Sequence, residues 1–409
     1  MNKKHTTPWA WALLSLSLAT QAADPPDIVE LAKRNTHSLA YNDIGISGPG
    51  ADHLLAATAN AQFVLFGEDH LDHEIPRFAG ALYATLHEQR GFRHLVVEQD
   101  PVAIEDALAP ARRGDAGKIA AHARAYSSLY EFDTDEDLSV LALAGRLEKG
   151  PDAIWGVEQA TGAVRYLEEL ATLAPDAAAR GQVEKMLAAA RVADDKPTYN
   201  VNWLIAEGTS PALAALREAF RPRAGTRAQK LLDGLIRSAE IFGYYRRADA
   251  GEWVALYNNT VREEVLKGNF IERYRAAARR EPLPKALFKF GANHLYHGRN
   301  PTNAQPIGNL AHELAIYNGK VAYGLYVLPL GPNYSGYKDF PAWLLPVLPR
   351  EEPEVPMLVD LVALRPYQRL FRDQVAEADQ WQLRDLMNGY QAIVLLPGSK
   401  PGERKLGGR

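Results

Sequence analysis

Acidic and basic side chains follow four short apolar runs that the sequence predicts to be β-strands. Glu68 and His70 follow the first run, Glu98 the second, Glu158 the third and His294 the fourth. Ionised groups are costly inside a dry sheet unless they are paired, and ligands of open α/β sheets bind outside the carboxyl ends of the strands. We therefore expect these side chains to converge on one cleft.

The chemistry that such a cleft supports is acid–base catalysis. A neutral imidazole beside a carboxylate removes a proton from water or from a substrate hydroxyl, and the carboxylate stabilises the imidazolium that forms. His70 with Glu68, supported by Glu98, could act in this way without a metal. The alternatives are that Glu98 only caps a helix N-terminus, and that Glu68 and His70 have a structural role.

Two His-x-x-His segments contain four of the eleven histidines of the chain. The ranges 70–73 and 294–297 each begin and end with a histidine, and a helix starting at each turn would place both members of a pair on one face. Imidazoles and a carboxylate could then hold a divalent cation with an open coordination position. The candidate metal ligands are His70, His73, Glu98 and His294. Alternatively, His73 and His297 only support neighbouring side chains.

A helical pattern that precedes the fourth strand places Asn258 and Arg262 on one face. An arginine directed into the cleft could bind a carboxylate or stabilise an oxyanion. The sequence alone favours a plainer interpretation, in which Arg262 lies on a solvated helix face and pairs with neighbouring glutamates. The candidate substrate-binding residues are Arg262, Glu158, His73 and His297.

The elements that must position these residues are predicted from the periodicity of apolar residues. Most of the short runs are apolar at both alternating positions, which is typical of strands buried on both faces of a mainly parallel sheet. We therefore predict an α/β fold with a mainly parallel central sheet flanked by helices. The predicted strands are Gln62–Phe66, Arg93–Val97, Ala153–Val157, Ala286–Phe290, Val321–Leu328, Met357–Leu364 and Ala392–Leu396.

Residues 160–280 are almost wholly helical in pattern and far outnumber the residues that a crossover connection needs. We predict that they form a large helical insert or lid. It would separate an N-terminal part (residues 23–159) from a C-terminal part (residues 281–396) of one α/β domain. Residues 397–409 are predicted to be a flexible tail. The predicted helices are Ile75–Gln89, Tyr166–Leu173, Gly181–Arg191, Pro211–Phe220, Arg227–Ala248 and Glu252–Lys267.

Composition and the N-terminal segment limit the class of protein. The 409 residues include 46 Lys and Arg, 50 Asp and Glu, and no Cys. No global positive charge therefore favours nucleic acid, and no disulfide, thiolate metal site or lipidated cysteine can form. Lys3 and Lys4, followed by an apolar stretch from Trp9 to Ala19, are typical of a secretory signal.

We predict that residues 1–22 are a cleaved signal peptide and that the protein is periplasmic or secreted. The apolar stretch is short for a bilayer span, so no stable membrane insertion is expected after cleavage. An uncleaved membrane anchor is the alternative.

Several of these residues lie in motifs that resemble the erythromycin esterase/ChaN-like superfamily over most of residues 55–330. The matching segments are Gly67-Glu68-x-His70, Gly91-Phe92-Arg93, Glu98, Arg262-Glu263-Glu264, Asn269 and the FGANH segment that ends at His294. In the esterase branch a histidine activates water for ester hydrolysis, with glutamates and a later histidine around it. The resemblance implies that His70 is the base and that Glu68 and Glu98 orient or stabilise it. It also implies that His294 lies on the opposite side of the cleft.

The spacing between Glu68 and His70 is one residue shorter than in the esterase branch and resembles the ChaN branch, whose members bind haem at the cell envelope. The ChaN lipoproteins carry a lipidated cysteine, which this chain lacks, and the helical segment looks more like the esterase side. The leading hypothesis is an exported hydrolase that acts on an ester or related acyl bond of a small-molecule substrate and requires no cofactor. The alternatives are an envelope protein that binds haem or a divalent metal, a metal-dependent hydrolase that lies between these two, and a structural or interaction protein of the envelope.

Overall fold

The computed structural model describes residues 26–126, 128–194, 203–206, 208–254, 256–331 and 336–405. The predicted signal peptide lies outside the described residues. In chain order the strands are β1 (Thr36–Ser38), β2 (Ala40–Asn42), β3 (Gly45–Ser47), β4 (Ala61–Glu68), β5 (His94–Val97), β6 (Ile154–Gly156), β7 (Ala286–Gly291), β8 (Val321–Leu330), β9 (Met357–Asp360) and β10 (Ala392–Pro397).

Eight of these strands form one sheet within the described residues. Their order across the sheet is β1-β9-β10-β8-β4-β7-β5-β6, and β2 and β3 form a separate hairpin. All pairs from β10 to β6 are parallel, whereas β9 runs antiparallel to both of its neighbours. The predicted α/β fold with a mainly parallel central sheet is therefore confirmed.

The helices flank this sheet, and none in the described ranges is both long and apolar enough to cross a membrane. They are α1 (Ile28–Arg34), α2 (Pro49–Ala57), α3 (Glu74–Arg90), α4 (Pro101–Arg112), α5 (Ala116–Tyr126), α6 (Asp135–Leu147), α7 (Val164–Leu173), α8 (Ala177–Asp194), α9 (Thr209–Phe220), α10 (Arg227–Asp249), α11 (Tyr257–Ala278), α12 (Ile307–Tyr317), α13 (Leu361–Leu364), α14 (Gln368–Arg372) and α15 (Gln380–Gly389).

The second half of one predicted strand is a helix in the structure. The run Met357–Leu364 is extended only as far as Asp360, and its second half is the short helix α13. The carboxylate of Asp360 accepts hydrogen bonds from the backbone N–H groups of Val362 (2.8 Å) and Ala363 (3.3 Å). This side chain therefore acts as an N-cap and starts a helix where the apolar pattern alone indicated a continuing strand.

The core lies on both faces of the sheet, and every residue of β4, β5 and β7 is buried. Along β4, Val64 and Phe66 belong to one apolar cluster, and Phe63 and Leu65 belong to the other. Helices α3 and α6 pack on the first face, and α11 and α12 on the second. Double-sided burial makes β4 and its neighbours a rigid base for the residues at their ends.

Aspartate caps set the two loops that leave β4 and β5. Asp72 accepts hydrogen bonds from the backbone N–H groups of Glu74 (2.8 Å) and Ile75 (3.0 Å) and starts α3. Asp100 accepts from Val102 (2.8 Å) and Ala103 (2.9 Å) and starts α4. Each cap satisfies helical donors that would otherwise lack partners. The residues between strand and cap are therefore held in defined turns.

Helices α7 to α11 lie between β6 and β7, so the large helical insert is confirmed; its exact boundaries and its role as a lid stay predictions. Much of the insert has a core of its own, which includes Leu167, Leu213 and Leu235. Its last helix, α11, returns to the sheet, where Phe270 packs against Phe288 with ring centroids 5.1 Å apart. Because α11 is anchored in this way, its side chains hold fixed positions relative to the strand ends.

The described part of the predicted flexible tail is hydrogen-bonded to two loops near the strand ends. The carbonyl of Lys400 accepts from the backbone N–H of His73 at 2.9 Å. Arg404 forms an ion pair with buried Asp133 at 3.0 Å. Flexibility was predicted from the polar, glycine-containing composition of residues 397–409. That local composition gives no sign of contacts with residues distant in the sequence.

Candidate functional site

The candidate site lies at the carboxyl ends of four neighbouring strands. In sheet order, Glu68 ends β4, Gly291 ends β7, Glu98 follows β5 and Glu158 follows β6. All four strands are parallel, so their carboxyl ends meet at one edge. The three carboxylates are at most 8% exposed, and each therefore needs a charged or hydrogen-bonding partner.

His70 bridges two of these carboxylates. Its Nδ1 lies 3.2 Å from Oε1 of Glu68, and its Nε2 lies 3.6 Å from Oε2 of Glu98. Burial opposes protonation of the ring, but the hydrogen bond to Glu68 and the charge of Glu98 outweigh it and raise the pKa of His70 to about 9. The free protein at neutral pH therefore holds His70 mostly as imidazolium, stabilised by two carboxylates.

His294 has an equivalent arrangement on the other side of Glu98. Its Nδ1 lies 2.6 Å from Oε1 of Glu263, and its Nε2 lies 3.3 Å from Oε1 of Glu98. The second oxygen of Glu263 accepts a hydrogen bond from the backbone N–H of Ile307 at 2.7 Å, which fixes the carboxylate against the start of α12. Burial opposes protonation here too, but Glu98 and Glu263 raise the pKa of His294 above its usual value.

Glu98 lies between His70 and His294 and contacts both imidazoles. Its Oε2 accepts a hydrogen bond from the backbone N–H of Gly291 at 2.7 Å, and its Oε1 accepts from Nη2 of Arg262 at 2.5 Å. Burial disfavours the carboxylate, but His294, Arg262 and His70 outweigh that cost and hold the pKa of Glu98 at about 2. Glu98 is thus a permanent anion between two imidazoles.

Arg262 joins Glu98 to Glu158 and does not lie on a solvated helix face, so the plainer interpretation from the sequence is wrong. Its Nε and Nη2 lie 3.0 Å and 2.5 Å from Oε2 of Glu158. The side chain is only 22% exposed because α11 packs against the strand ends at this point. Asn269, two turns later, donates to the carbonyl of Val157 at 2.9 Å and ties α11 to the end of β6.

His73 and His297 do not join the group around Glu98. His73 contacts Glu74 and Glu136, with N–O distances of 2.8 Å and 3.2 Å. His297 is partly exposed and stacks on His312 with ring centroids 4.2 Å apart. The prediction that each pair shares a helix face is wrong, because α3 begins only at Glu74 and the turn after β7 is a short 3-10 helix that ends at His294.

The described side chains of the candidate site are not arranged as a metal centre. Among the described residues, no group of three or more His, Asp and Glu side chains is arranged to hold a metal ion. Both nitrogens of His70 and of His294 face carboxylate oxygens. The four candidate metal ligands do not lie together either. His73 contacts Glu74 and Glu136, away from His70, Glu98 and His294.

Three residues of this network were given no role in the sequence analysis. Glu263 orients His294, and buried Lys289 contacts both Glu68 and Asp137, with Nζ–O distances of 2.7 Å. A signal for Lys289 exists in the sequence, because it is the only charged residue in the apolar run ALFKFG of β7. Glu263 lies in the matched segment Arg262-Glu263-Glu264. Asp137 stands among other acidic residues, and nothing local separates it from surface acids.

The position of Gly291 allows a direct test of the His70 geometry. A Cβ at this residue would lie 2.7 Å from Nε2 of His70 and 3.4 Å from Oε2 of Glu98. We expect Gly291→Ala to push the partly exposed imidazole outward and to lower catalytic turnover about 100-fold, as displacement of about 1 Å does elsewhere. Gly268→Ala, where a Cβ meets nothing within 4 Å, is the control. Equal turnover of both variants, in assays at matched folded fraction, would contradict this geometry.

Comparison with known proteins gives similarity at the level of the fold. No protein-family model matches the chain, and no curated protein matches it either. A Bacillus cereus protein of known structure has 13% sequence identity and a TM-score of 0.59, and the alignment covers 93% of this chain and 100% of that one.

Two further solved structures are similar. A mutant of the erythromycin esterase EreC in its open conformation has 15% identity and a TM-score of 0.54, with 86% of this chain and 94% of that one covered. A succinoglycan biosynthesis protein has 12% identity and a TM-score of 0.54, with 92% and 97% covered. The resemblance that the sequence motifs indicated is therefore confirmed for the fold: this chain shares its fold with the erythromycin esterase EreC and with the two other solved structures.

Proposed function

We propose that the protein is an exported hydrolase that cleaves an ester or related acyl bond of a small molecule by activating water at His70. One observation carries the proposal: two imidazoles, each held at Nδ1 by its own buried glutamate, direct Nε2 toward opposite oxygens of Glu98. Orienting carboxylates of this kind prepare a histidine for proton transfer. Export is proposed from the N-terminal sequence alone, and the hydrolase class also agrees with the EreC fold.

In the proposed reaction, neutral His70 accepts a proton from water at Nε2 while the oxygen of that water attacks the acyl carbon. Glu68 and Glu98 stabilise the imidazolium that forms. The tetrahedral intermediate then collapses, and His70 returns its proton to the departing alkoxide. Water and ester give a carboxylic acid and an alcohol, so the step balances with no cofactor.

His294 is the group that we assign to the developing oxyanion. Glu98 and Glu263 raise the pKa of His294 above its usual value. Its Nε2 has only a 3.3 Å contact to Glu98, so the protonated ring can turn its N–H toward a substrate oxygen. Arg262 was the other candidate for this role, but its guanidinium is already engaged by Glu98 and Glu158. We therefore assign Arg262 and Glu158 to fixing Glu98 rather than to binding substrate.

The proposal is tested with a panel of activated esters, thioesters and lactones, using protein purified without its N-terminal 22 residues. We expect turnover of at least one member that depends on His70. Turnover that is equal in wild-type protein and in Gly291→Ala would assign the activity to another site. If none of these chemically diverse acyl compounds is turned over, the esterase proposal is rejected.

The pH dependence of the reaction identifies the base. Because the pKa of His70 is raised to about 9, kcat/KM should rise with pH and level off only above that value. Glu68→Gln removes the hydrogen-bonded anion that favours the imidazolium, so the pKa of His70 should fall toward the ordinary value of about 6.5. The rising limb should then move to lower pH, while the plateau falls by about tenfold or more.

Initial-rate measurements between pH 5 and 10 check both statements. A profile that falls with increasing pH over the whole range, without a rising limb, would mean that His70 acts as an acid in the rate-limiting step. A limb that stays in place in Glu68→Gln would show that the group titrating in the profile is not the His70–Glu68 pair.

A further inference from the structure

Lys289 is a buried cation that the proposed reaction does not use. It lies in β7 between Phe288 and Phe290, and its side chain is 1% exposed. An ammonium group in such a place is strongly unfavourable unless it is paired and hydrogen-bonded. We therefore expect this lysine, in a strand that ends at the candidate site, to have a specific role.

Its partners define that role. The Nζ donates to Oε1 of Glu68 and to Oδ1 of Asp137, each at 2.7 Å, and it lies 4.1 Å from the ring centroid of Phe132. Asp137 is itself fixed, because its second oxygen accepts a hydrogen bond from the hydroxyl of Thr134 at 2.7 Å, at the N-cap of α6. Lys289 is thus held between the last residue of β4 and the first turn of α6.

The oxygen of Glu68 that Lys289 contacts is the same Oε1 that faces Nδ1 of His70. We propose that Lys289 is the positioning residue of the site: it keeps Glu68 ionised and holds Oε1 of that carboxylate against His70. The inference rests on the proposed function only for its catalytic consequence. The structural relation can be tested without a substrate.

Lys289 affects the pKa of His70 in two ways that have opposite signs, so the direction of the change on its removal distinguishes them. As a bare positive charge, Lys289 disfavours the imidazolium, so its removal would raise the pKa of His70. As the group that keeps Glu68 ionised and in place, Lys289 favours the imidazolium, so its removal would lower the pKa. The other charged groups that face His70 are Glu98, Glu131 and Asp69, and these stay the same in every variant.

The experiment is a pH titration of the His70 imidazole by ¹⁵N NMR in wild-type protein, Lys289→Met and Asp137→Asn. The two substitutions break the same buried ion pair and should destabilise the protein similarly. In Lys289→Met the pKa of His70 should fall by about one pH unit or more, because a buried Glu68 without its cation takes up a proton. In Asp137→Asn the pKa of His70 should stay near the wild-type value, since Lys289 still forms its ion pair with Glu68.

A rise or no change in Lys289→Met, or an equal fall in both variants, would overturn the inference. If Lys289→Met does not fold, the double variant Lys289→Met/Asp137→Asn, which removes one cation and one anion, is compared with Asp137→Asn alone, and the same fall is expected. A fall in pKa without any esterase activity would uphold the positioning role and reject the proposed function. Where activity exists, kcat should fall in Lys289→Met and KM should change little.

Discussion

His70→Asn is expected to lower kcat by roughly 10²- to 10⁴-fold, the range that a positioned general base contributes. Asn fills part of the same space and retains hydrogen bonding to Glu68, but it cannot accept a proton from water. The effect should appear in kcat and kcat/KM alike, because the proton transfer occurs only in the transition state. Steady-state kinetics on the best substrate of the acyl panel provide the measurement.

The matched control is His53→Asn. His53 is partly exposed like His70, and its Nε2 lies 3.5 Å from a carboxylate oxygen of Asp360, on the edge of the sheet formed by β1 and β9. We expect its loss to leave kcat within about twofold, in keeping with a surface substitution of small effect. Similar losses in the two variants would indicate a general effect of removing histidine rather than a catalytic role of His70.

Arg262→Met is expected to lower the free energy of unfolding by roughly 3–5 kcal/mol, the cost of leaving buried charges without their partner. The guanidinium compensates Glu98 and Glu158, and Met retains much of its aliphatic length without its charge. Burial alone would lower the pKa of this guanidinium, but the two carboxylates hold it well above the usual value. Urea titration of wild-type and variant protein measures the change.

Arg237→Met provides the comparison for Arg262. Arg237 also contacts two carboxylates, those of Glu240 and Glu264, but its side chain is 46% exposed. Exposed ion pairs contribute about 0.2–1 kcal/mol, so the control should remain close to wild type. An Arg262→Met loss below about 1 kcal/mol would mean that water, rather than Arg262, compensates the two glutamates.

The sequence predicted the fold well because its strongest signals are local. Double-sided apolar runs such as Gln62–Phe66 identify buried parallel strands, and their carboxyl ends meet by topology. Glu68, His70, Glu98 and His294 could be placed together for that reason alone. Helix boundaries set by a capping side chain, such as Asp360, follow from one or two hydrogen bonds and are not visible in the apolar pattern.

The parts of the site that depend on distant contacts could not be predicted. Arg262 and Glu263 are consecutive on α11, yet their side chains hold Glu98 and His294, which other segments supply. Lys289 and Asp137 are more than 150 residues apart, and either one alone resembles an ordinary charged residue. The grouping of His73 with His70 was wrong for a related reason, since it assumed a helix that begins one turn later in the structure.

The central claim is that His70 and His294 face one shared carboxylate, and the pKa values of both rings in Glu98→Gln test it most directly. We predict that ¹⁵N NMR titrations will show both pKa values falling relative to the wild-type protein, because each imidazolium loses the same neighbouring anion. A change at only one ring, or at neither, would mean that the two histidines do not share Glu98 and would contradict a single reactive cleft.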